Sequence, residues 1–401
     1  MIQNFSKRQK IYFSLIINII FPLAGVSTDI YLPSLPAMSD HFQTTKAMLQ
    51  LTVTSFLMAI AIGQFIAGPI SDAYGRKKPL ILSIIMQFLA TVPILIMPSV
   101  LGVIVCRFLQ GLSAAFMMVP ARAIINDVFT GEALKRQFNY STISFALAPI
   151  LAPYIGGYFQ QYFGWESNFI FIICYQIIIF GLLIFGFKET LIQTKYLSVQ
   201  HFTQSYKKIF SNNHFIICVS LLSVLMGYFS LFSILGPFLI QVTLNKDPLF
   251  YGKVALFMGL AWFLGNVFNR ILFRYGEHGR TVFSMILMLV ASMFLVYWSV
   301  TQSFTVIGFS VPTFILIFAS GFIFPIYIGE ALMIFPPDIA ATANGCLFSM
   351  TWLGFGIYTL IGAVLNASTP LPISLVFFAI SLLCILLYYA LCMNVKKKGV
   401  S

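Results

Sequence analysis

Four ionisable side chains stand out within the long apolar runs of this 401-residue sequence: Asp29, Arg107, Arg122 and Glu330. Charge in hydrocarbon is costly, so such residues pair with one another, reach water, or help move ions and polar cargo. Asp29 lies in Ser27-Thr28-Asp29-Ile30-Tyr31-Leu32-Pro33, about eighteen residues into the first run, which at about 1.5 Å per residue is the outer third of a membrane helix. Arg107 falls about six residues from the outer end of the fourth run, at a similar depth. Burial opposes ionisation of a carboxylate there, and a nearby guanidinium favours it. A group held between those pulls can take up and release a proton, which makes Asp29 and Arg107 the candidate proton-coupling pair. Two plainer roles stand beside this one. Asp29 could cap a helix end next to Pro33, or the two charges could form a permanent ion pair.

Gln110, one turn deeper than Arg107, is placed to hydrogen-bond in the same cavity. Tyr31, Tyr228, Phe232 and Tyr327 fall on the first, seventh and tenth runs, where they could wall a central cavity for a bulky apolar or aromatic ligand. With 43 phenylalanines in the chain, packing is the plainer role for such rings. Glu330, in Pro325-Ile326-Tyr327-Ile328-Gly329-Glu330, has no charged neighbour in sequence. It either faces the cavity or reaches water at the inner end. His41, His201, His214 and His278 fall in or beside loops, which argues against a histidine proton relay.

The elements that carry these residues follow from composition. The chain is 59% hydrophobic and 8% charged, against roughly 25% charged residues in a soluble domain. It cannot cover a globule with polar surface, which argues against water-soluble catalysis. Apolar runs occupy 11–33, 46–70, 79–98, 100–126, 137–162, 167–187, 214–241, 249–273, 281–300, 303–334, 340–366 and 371–393. Each is long enough for a helix across a hydrocarbon core of about 30 Å. Helices satisfy their own backbone polar groups, so the expected fold is an all-α integral membrane protein of twelve transmembrane helices.

With the N-terminus inside, eighteen of the 23 lysines and arginines fall in cytoplasmic segments, Lys195 and Lys398 among them. That asymmetry predicts cytoplasmic termini, and the net charge of +12 reports topology rather than a nucleic-acid partner. All six cysteines fall in the runs, without metal-ligand spacing, and are expected to be packing residues. No phosphate-cradling loop or metallohydrolase motif occurs. No cofactor or metal is therefore expected, and a proton or substrate gradient would supply the energy.

The longest polar interruption, 188–213, divides 1–187 from 214–401 as a cytoplasmic linker between two bundles. Between the second and third runs, Gly68-Pro-Ile-Ser-Asp72-Ala-Tyr-Gly75-Arg76-Lys77-Lys78-Pro-Leu80 concentrates charge and glycine where helices meet at a membrane surface. Asp127, at the inner end of the fourth run, stands at the height of Arg76. Gly68, Asp72, Gly75, Arg76 and Asp127 form a candidate conformational latch. Gly265 to Arg280 reads as a worn copy of this loop six runs later, which implies duplicated halves with substrate between them. In the fifth run, Pro149 and Pro153 kink the helix and free carbonyls, while Gly156 and Gly157 allow close helix contact.

The charged loop, Arg107-Phe-Leu-Gln110-Gly111 and the Pro149-to-Gly157 stretch resemble the signature motifs of the major facilitator superfamily. Ser27 to Pro33, followed by Pro36, resembles its twelve-span drug:proton antiporters, and in particular the Bcr/CflA subfamily of bicyclomycin- and chloramphenicol-type resistance. The resemblance implies two pseudo-symmetric six-helix bundles. It assigns Asp72 and Arg76 to stabilising the outward-facing state, Asp29 to protonation or substrate binding, and Arg107 to modulating proton affinity. It marks the fifth-run motif as that of an antiporter. The expectation is a monomeric proton-coupled antiporter in the bacterial inner membrane that exports small amphipathic drugs or metabolites. Ser113, Asn126 and Glu330 depart from the pattern, which keeps open a dedicated transporter of one metabolite, such as a siderophore or an amino-acid derivative.

Overall fold

The computed structural model describes residues 5–191, 199–301, 304–365 and 369–397. Lys195, Lys398 and the middle of the expected linker lie outside these residues. Among the described residues, twelve helical segments are long and apolar enough to cross a membrane, some continuing into a short 3₁₀ or π turn. The α-helices that form them are α1 (Lys7–Asp29), α2 (Lys46–Tyr74), α3 (Lys77–Thr91), α4 (Val100–Val128), α5 (Gly131–Phe163), α6 (Glu166–Gly186), α7 (Asn213–Pro237), α8 (Pro248–Ile271), α9 (Glu277–Thr301), α10 (Val306–Met333), α11 (Pro337–Leu365) and α12 (Pro370–Lys397). No strand occurs among the described residues.

Local chemistry sets the helix ends. Ser6 and Gln9 form a reciprocal capping box at the start of α1. Asp247 accepts from the Phe250 amide at 2.6 Å, with Pro248 supplying the preset φ of a first helical residue. The first apolar run is not one continuous helix. It ends as α1 at Asp29, passes through a 3₁₀ turn at Leu32–Ser34, and resumes in a short helix, Leu35–His41. Pro33 and Pro36 lack the amide that would continue α1. The break leaves Asp29, Ile30 and Tyr31 at a helix terminus buried in protein.

Helices α1 to α6 pack mainly among themselves, as do α7 to α12, and the two sets meet along α2–α11 and α5–α8. Hydrogen bonds cross the seam: Gln50 Nε2 donates to the Ile234 carbonyl at 2.9 Å, Thr54 Oγ1 to Thr359 Oγ1 at 3.0 Å, and Gln241 Nε2 to the Pro33 carbonyl at 2.9 Å. Ser349 also donates to the Ala61 carbonyl. The helix Val199–Phe210 is tied to α2 where Tyr206 donates to the Phe65 carbonyl at 3.1 Å. Gly75 and Gly276 both turn the chain with positive φ, 87° and 68°, at loops six helices apart.

Candidate functional site

The break after α1 brings its terminus against α4. Arg107 is fully buried, and its Nη1 donates to the Ser27 carbonyl at 2.8 Å and to Gln110 Oε1 at 2.7 Å. Its guanidinium lies 4.5 Å from the Tyr31 ring centroid and 4.2 Å from that of Phe56. A cation between two ring faces is held by both quadrupoles. Among the described residues, its Nε and Nη2 find no acceptor in hydrogen-bonding geometry. Leaving such donors dry costs on the order of 1–3 kcal/mol each.

Asp29 is 5% exposed, and among the described residues its carboxylate forms no ion pair. Arg107, Tyr31 and Tyr251 lie within its electrostatic reach. Tyr251 comes from α8 in the second half, and its buried hydroxyl has no hydrogen-bond partner. Sequence reading missed this residue; the signal was a tyrosine near the outer end of the eighth run, beside Gly252. Around these groups runs a buried amide and hydroxyl network. Gln110 Nε2 and Gln176 Nε2 both donate to Thr91 Oγ1, at 2.7 and 2.8 Å, and Gln87 Nε2 donates to Ser27 Oγ at 3.0 Å. Tyr31 and Thr52 share a hydrogen bond of 3.0 Å.

Gly156 and Gly157 seat this centre against its neighbours. A Cβ on Gly156 would collide with the Ile30 carbonyl, next to Asp29, and one on Gly157 would meet the Pro248 carbonyl at 2.5 Å. Pro153 lacks an amide, so it leaves the Pro149 carbonyl without its helical partner. That carbonyl faces α8, 3.0 Å from where a Cβ on Gly259 would stand.

The remaining expected cavity residues lie elsewhere. Tyr228 hydrogen-bonds Ser381 at 2.8 Å and packs on Phe377, both on α12. Phe232 stacks on Tyr251 and Phe309, which links it to the Asp29 region through Tyr251. Tyr327 donates to Thr281 Oγ1 on α9 at 3.1 Å. Glu330 has a partner that sequence distance concealed: His214 Nε2, at 2.8 Å.

At the opposite end of the first half, Arg76 gathers two helices. Its Nε donates to Asp127 Oδ2 at 3.0 Å, and its Nη1 to Asp72 Oδ1 at 2.5 Å and Ser71 Oγ at 2.9 Å. Burial works against this charge, but the two carboxylates outweigh it and raise the guanidinium's proton affinity. Gly68 lies on α2 with Val119 of α4 as its nearest neighbour, at 4.0 Å from a would-be Cβ. Glu189, which sequence reading passed over, closes the cluster. It accepts from the amides of Arg76 and Lys77 at 2.9 and 3.0 Å, satisfying donors that the start of α3 leaves free. Burial alone would raise its proton affinity, yet four backbone donors outweigh burial and hold it below the ordinary glutamate range. The available signal was an acid just after the sixth run, on the same side as the Arg76 loop.

A family model described as Major Facilitator Superfamily matches residues 17–332. The bicyclomycin resistance protein homolog of Haemophilus influenzae is 32% identical over 178 residues, a stretch covering 44% of this chain and 45% of that one. This chain therefore matches less than half the length of that relative. Multidrug resistance protein D of Escherichia coli is 22% identical over 405 residues, covering 98% of this chain and 99% of its own. Among solved structures, the D-xylose-proton symporter superposes with a TM-score of 0.77 at 13% identity, covering 94% of this chain and 97% of that one. At that identity the likeness concerns the fold.

Proposed function

The chain belongs to the Major Facilitator Superfamily, and on that premise we propose that it is a proton-coupled antiporter exporting small amphipathic drugs or metabolites by alternating access. As a member it is a transporter in a lipid bilayer, multi-pass in the bacterial inner membrane, with a small-molecule substrate; it is not an enzyme. The finer reading rests on one observation: Asp29 lies buried and unpaired at the broken end of α1, beside an arginine with two idle donors. A carboxylate so placed exchanges a proton at low structural cost, because no salt bridge has to break first. When Asp29 is ionised, Arg107 is its nearest compensation. When it is protonated, the idle donors of Arg107 are free for an acceptor on the cargo.

Tyr251 places the second half within reach of the same carboxylate. Rocking of the halves along α2–α11 and α5–α8 would move it relative to Asp29 and so change the field the proton meets. The names of the drug-resistance relatives support amphipathic cargo. In this reading both termini are cytoplasmic, the unit is a monomer, and the proton gradient alone drives transport, without a cofactor.

The test is counterflow in proteoliposomes with a panel of bicyclomycin, chloramphenicol and metabolites, followed by collapse of the pH gradient. Loss of uphill movement on collapse supports the reading; unchanged movement overturns it. Glu330, charged where the resemblance expects an uncharged stretch, favours a second reading, a transporter of one metabolite. Counterflow with a single compound would select it.

A further inference from the structure

At the end of the second half nearest the linker, three side chains of different chemistry converge. His214 and Cys218 are one turn apart on α7 and share a face; Glu330 comes across from α10. One ligand atom from each lies within 4.8 Å of the other two. Cys218 is fully buried, while the His214 and Glu330 side chains are 12% and 30% exposed. The first turn of α7 is fixed by Asn212, whose Oδ1 accepts from the amides of His214 and Phe215 at 3.0 and 3.2 Å. Cys218 packs in the core and also belongs to this set, which is assembled from two helices and so leaves no metal-ligand spacing in the sequence.

The geometry points to a binding site for a borderline divalent cation of the zinc class, held by His214, Cys218 and Glu330. One imidazole, one thiolate and one carboxylate are the donors such ions combine, whereas magnesium and calcium take oxygen and cuprous copper takes sulfur. Zinc bonds of about 2.0–2.3 Å in a tetrahedron hold donor atoms roughly 3.3–3.8 Å apart. The set closes on an ion by shifts on the order of 1 Å, and the His214–Glu330 hydrogen bond opens to admit it. Glu330 also lines a cavity of about 590 Å³ with Asn269, Phe273 and Arg280. An ion reaches the site from that side, and a fourth ligand, water or an anion, completes the shell there. The bound ion clamps α7 to α10 beside the linker helix. Nothing in this assignment depends on the cargo or on proton coupling.

The test uses full-length, tag-free protein in detergent, with Cys106, Cys174, Cys346, Cys384 and Cys392 replaced by serine so that Cys218 is the sole thiol. Cobalt(II) is the optical probe, and zinc is titrated against a chromophoric chelator. The expected result is one ion per chain and a thiolate-to-cobalt charge-transfer band that zinc abolishes. Cys218→Ser removes the band, and Glu330→Gln weakens zinc by at least the roughly 10–100-fold that loss of an outer-shell partner costs. Should the single-thiol chain misfold, the same titration on the native chain compares intact protein with Cys218→Ser alone. Absence of a charge-transfer band, or zinc affinity unchanged in Cys218→Ser and Glu330→Gln, overturns the site.

Discussion

Arg107 donates to the main-chain carbonyl of Ser27 at 2.8 Å, and not to the carboxylate of Asp29 two residues further on. The guanidinium therefore fixes the end of α1 by hydrogen bond while the acid there stays within its electrostatic reach. A permanent ion pair between the first and fourth spans would have spent both charges. Here the arginine stays anchored while the carboxylate stays out of any ion pair among the described residues, the arrangement on which the proposed proton coupling rests.

The Tyr251 hydroxyl is buried without a partner, so removing it relieves an unsatisfied group and costs little stability. Tyr251→Phe is expected to keep the thermal midpoint of the purified protein within a few degrees. Transport measured across a range of pH should shift its optimum, because the phenol is a group from the second half in reach of Asp29. An unchanged pH profile would remove Tyr251 from the coupling path.

Arg76 contacts two acids of unequal burial: the Asp127 side chain is 19% exposed and that of Asp72 36%. Double-mutant cycles should give a coupling of roughly 1–3 kcal/mol for Arg76 with Asp127. Arg76 with Asp72, more exposed and one helical turn apart, should give less than about 1 kcal/mol. The reverse order would mean that the contact along the chain, rather than the bridge to α4, holds the cluster.

Glu189 gives this end of the molecule an acid sensitivity of known sign. Its proton affinity is lowered in the folded chain, so its contribution is present above the ordinary glutamate range and lost as pH falls through the lower folded value. Thermal midpoints of wild type and Glu189→Gln should differ at neutral pH and converge in acid. A gap that stays constant with pH would contradict the capping role.

Gly156→Ala should be among the least tolerated substitutions in α5, since its Cβ has no room beside the Ile30 carbonyl. Overpacking of this kind typically costs about 1–3 kcal/mol, and here it pushes the Asp29 terminus as well. Gly345→Ala, where a Cβ meets nothing within 4 Å, is the control and should leave midpoint and transport near wild type.

The twelve helices were legible because length and hydropathy decide them. The break after Asp29 was half legible: Pro33 and Pro36 were visible, but the apolar run continued through them. Depth along a helix can be counted, which puts Arg76 level with Asp127 and Arg107 level with Asp29. Rotation about the helix axis cannot be counted from one sequence. Arg107 lies within electrostatic reach of Asp29, and that its hydrogen bond goes to the Ser27 carbonyl was not legible. Partners distant in sequence were invisible for the same reason: Tyr251 beside Asp29, Glu189 beneath Arg76, and His214 against Glu330, 116 positions away. The aromatic wall is a different case. Tyr228 and Tyr327 face helices of their own half, a choice that ring chemistry does not encode.

The most direct measurement is proton movement driven by cargo in sealed proteoliposomes, using any panel compound that gives counterflow, with Asp29→Asn compared to wild type. An outward gradient of that compound should drive protons inward through the wild-type protein. Asp29→Asn, folded to the same midpoint, should still exchange compound for compound while moving no protons. Proton movement of wild-type size through Asp29→Asn would contradict the account.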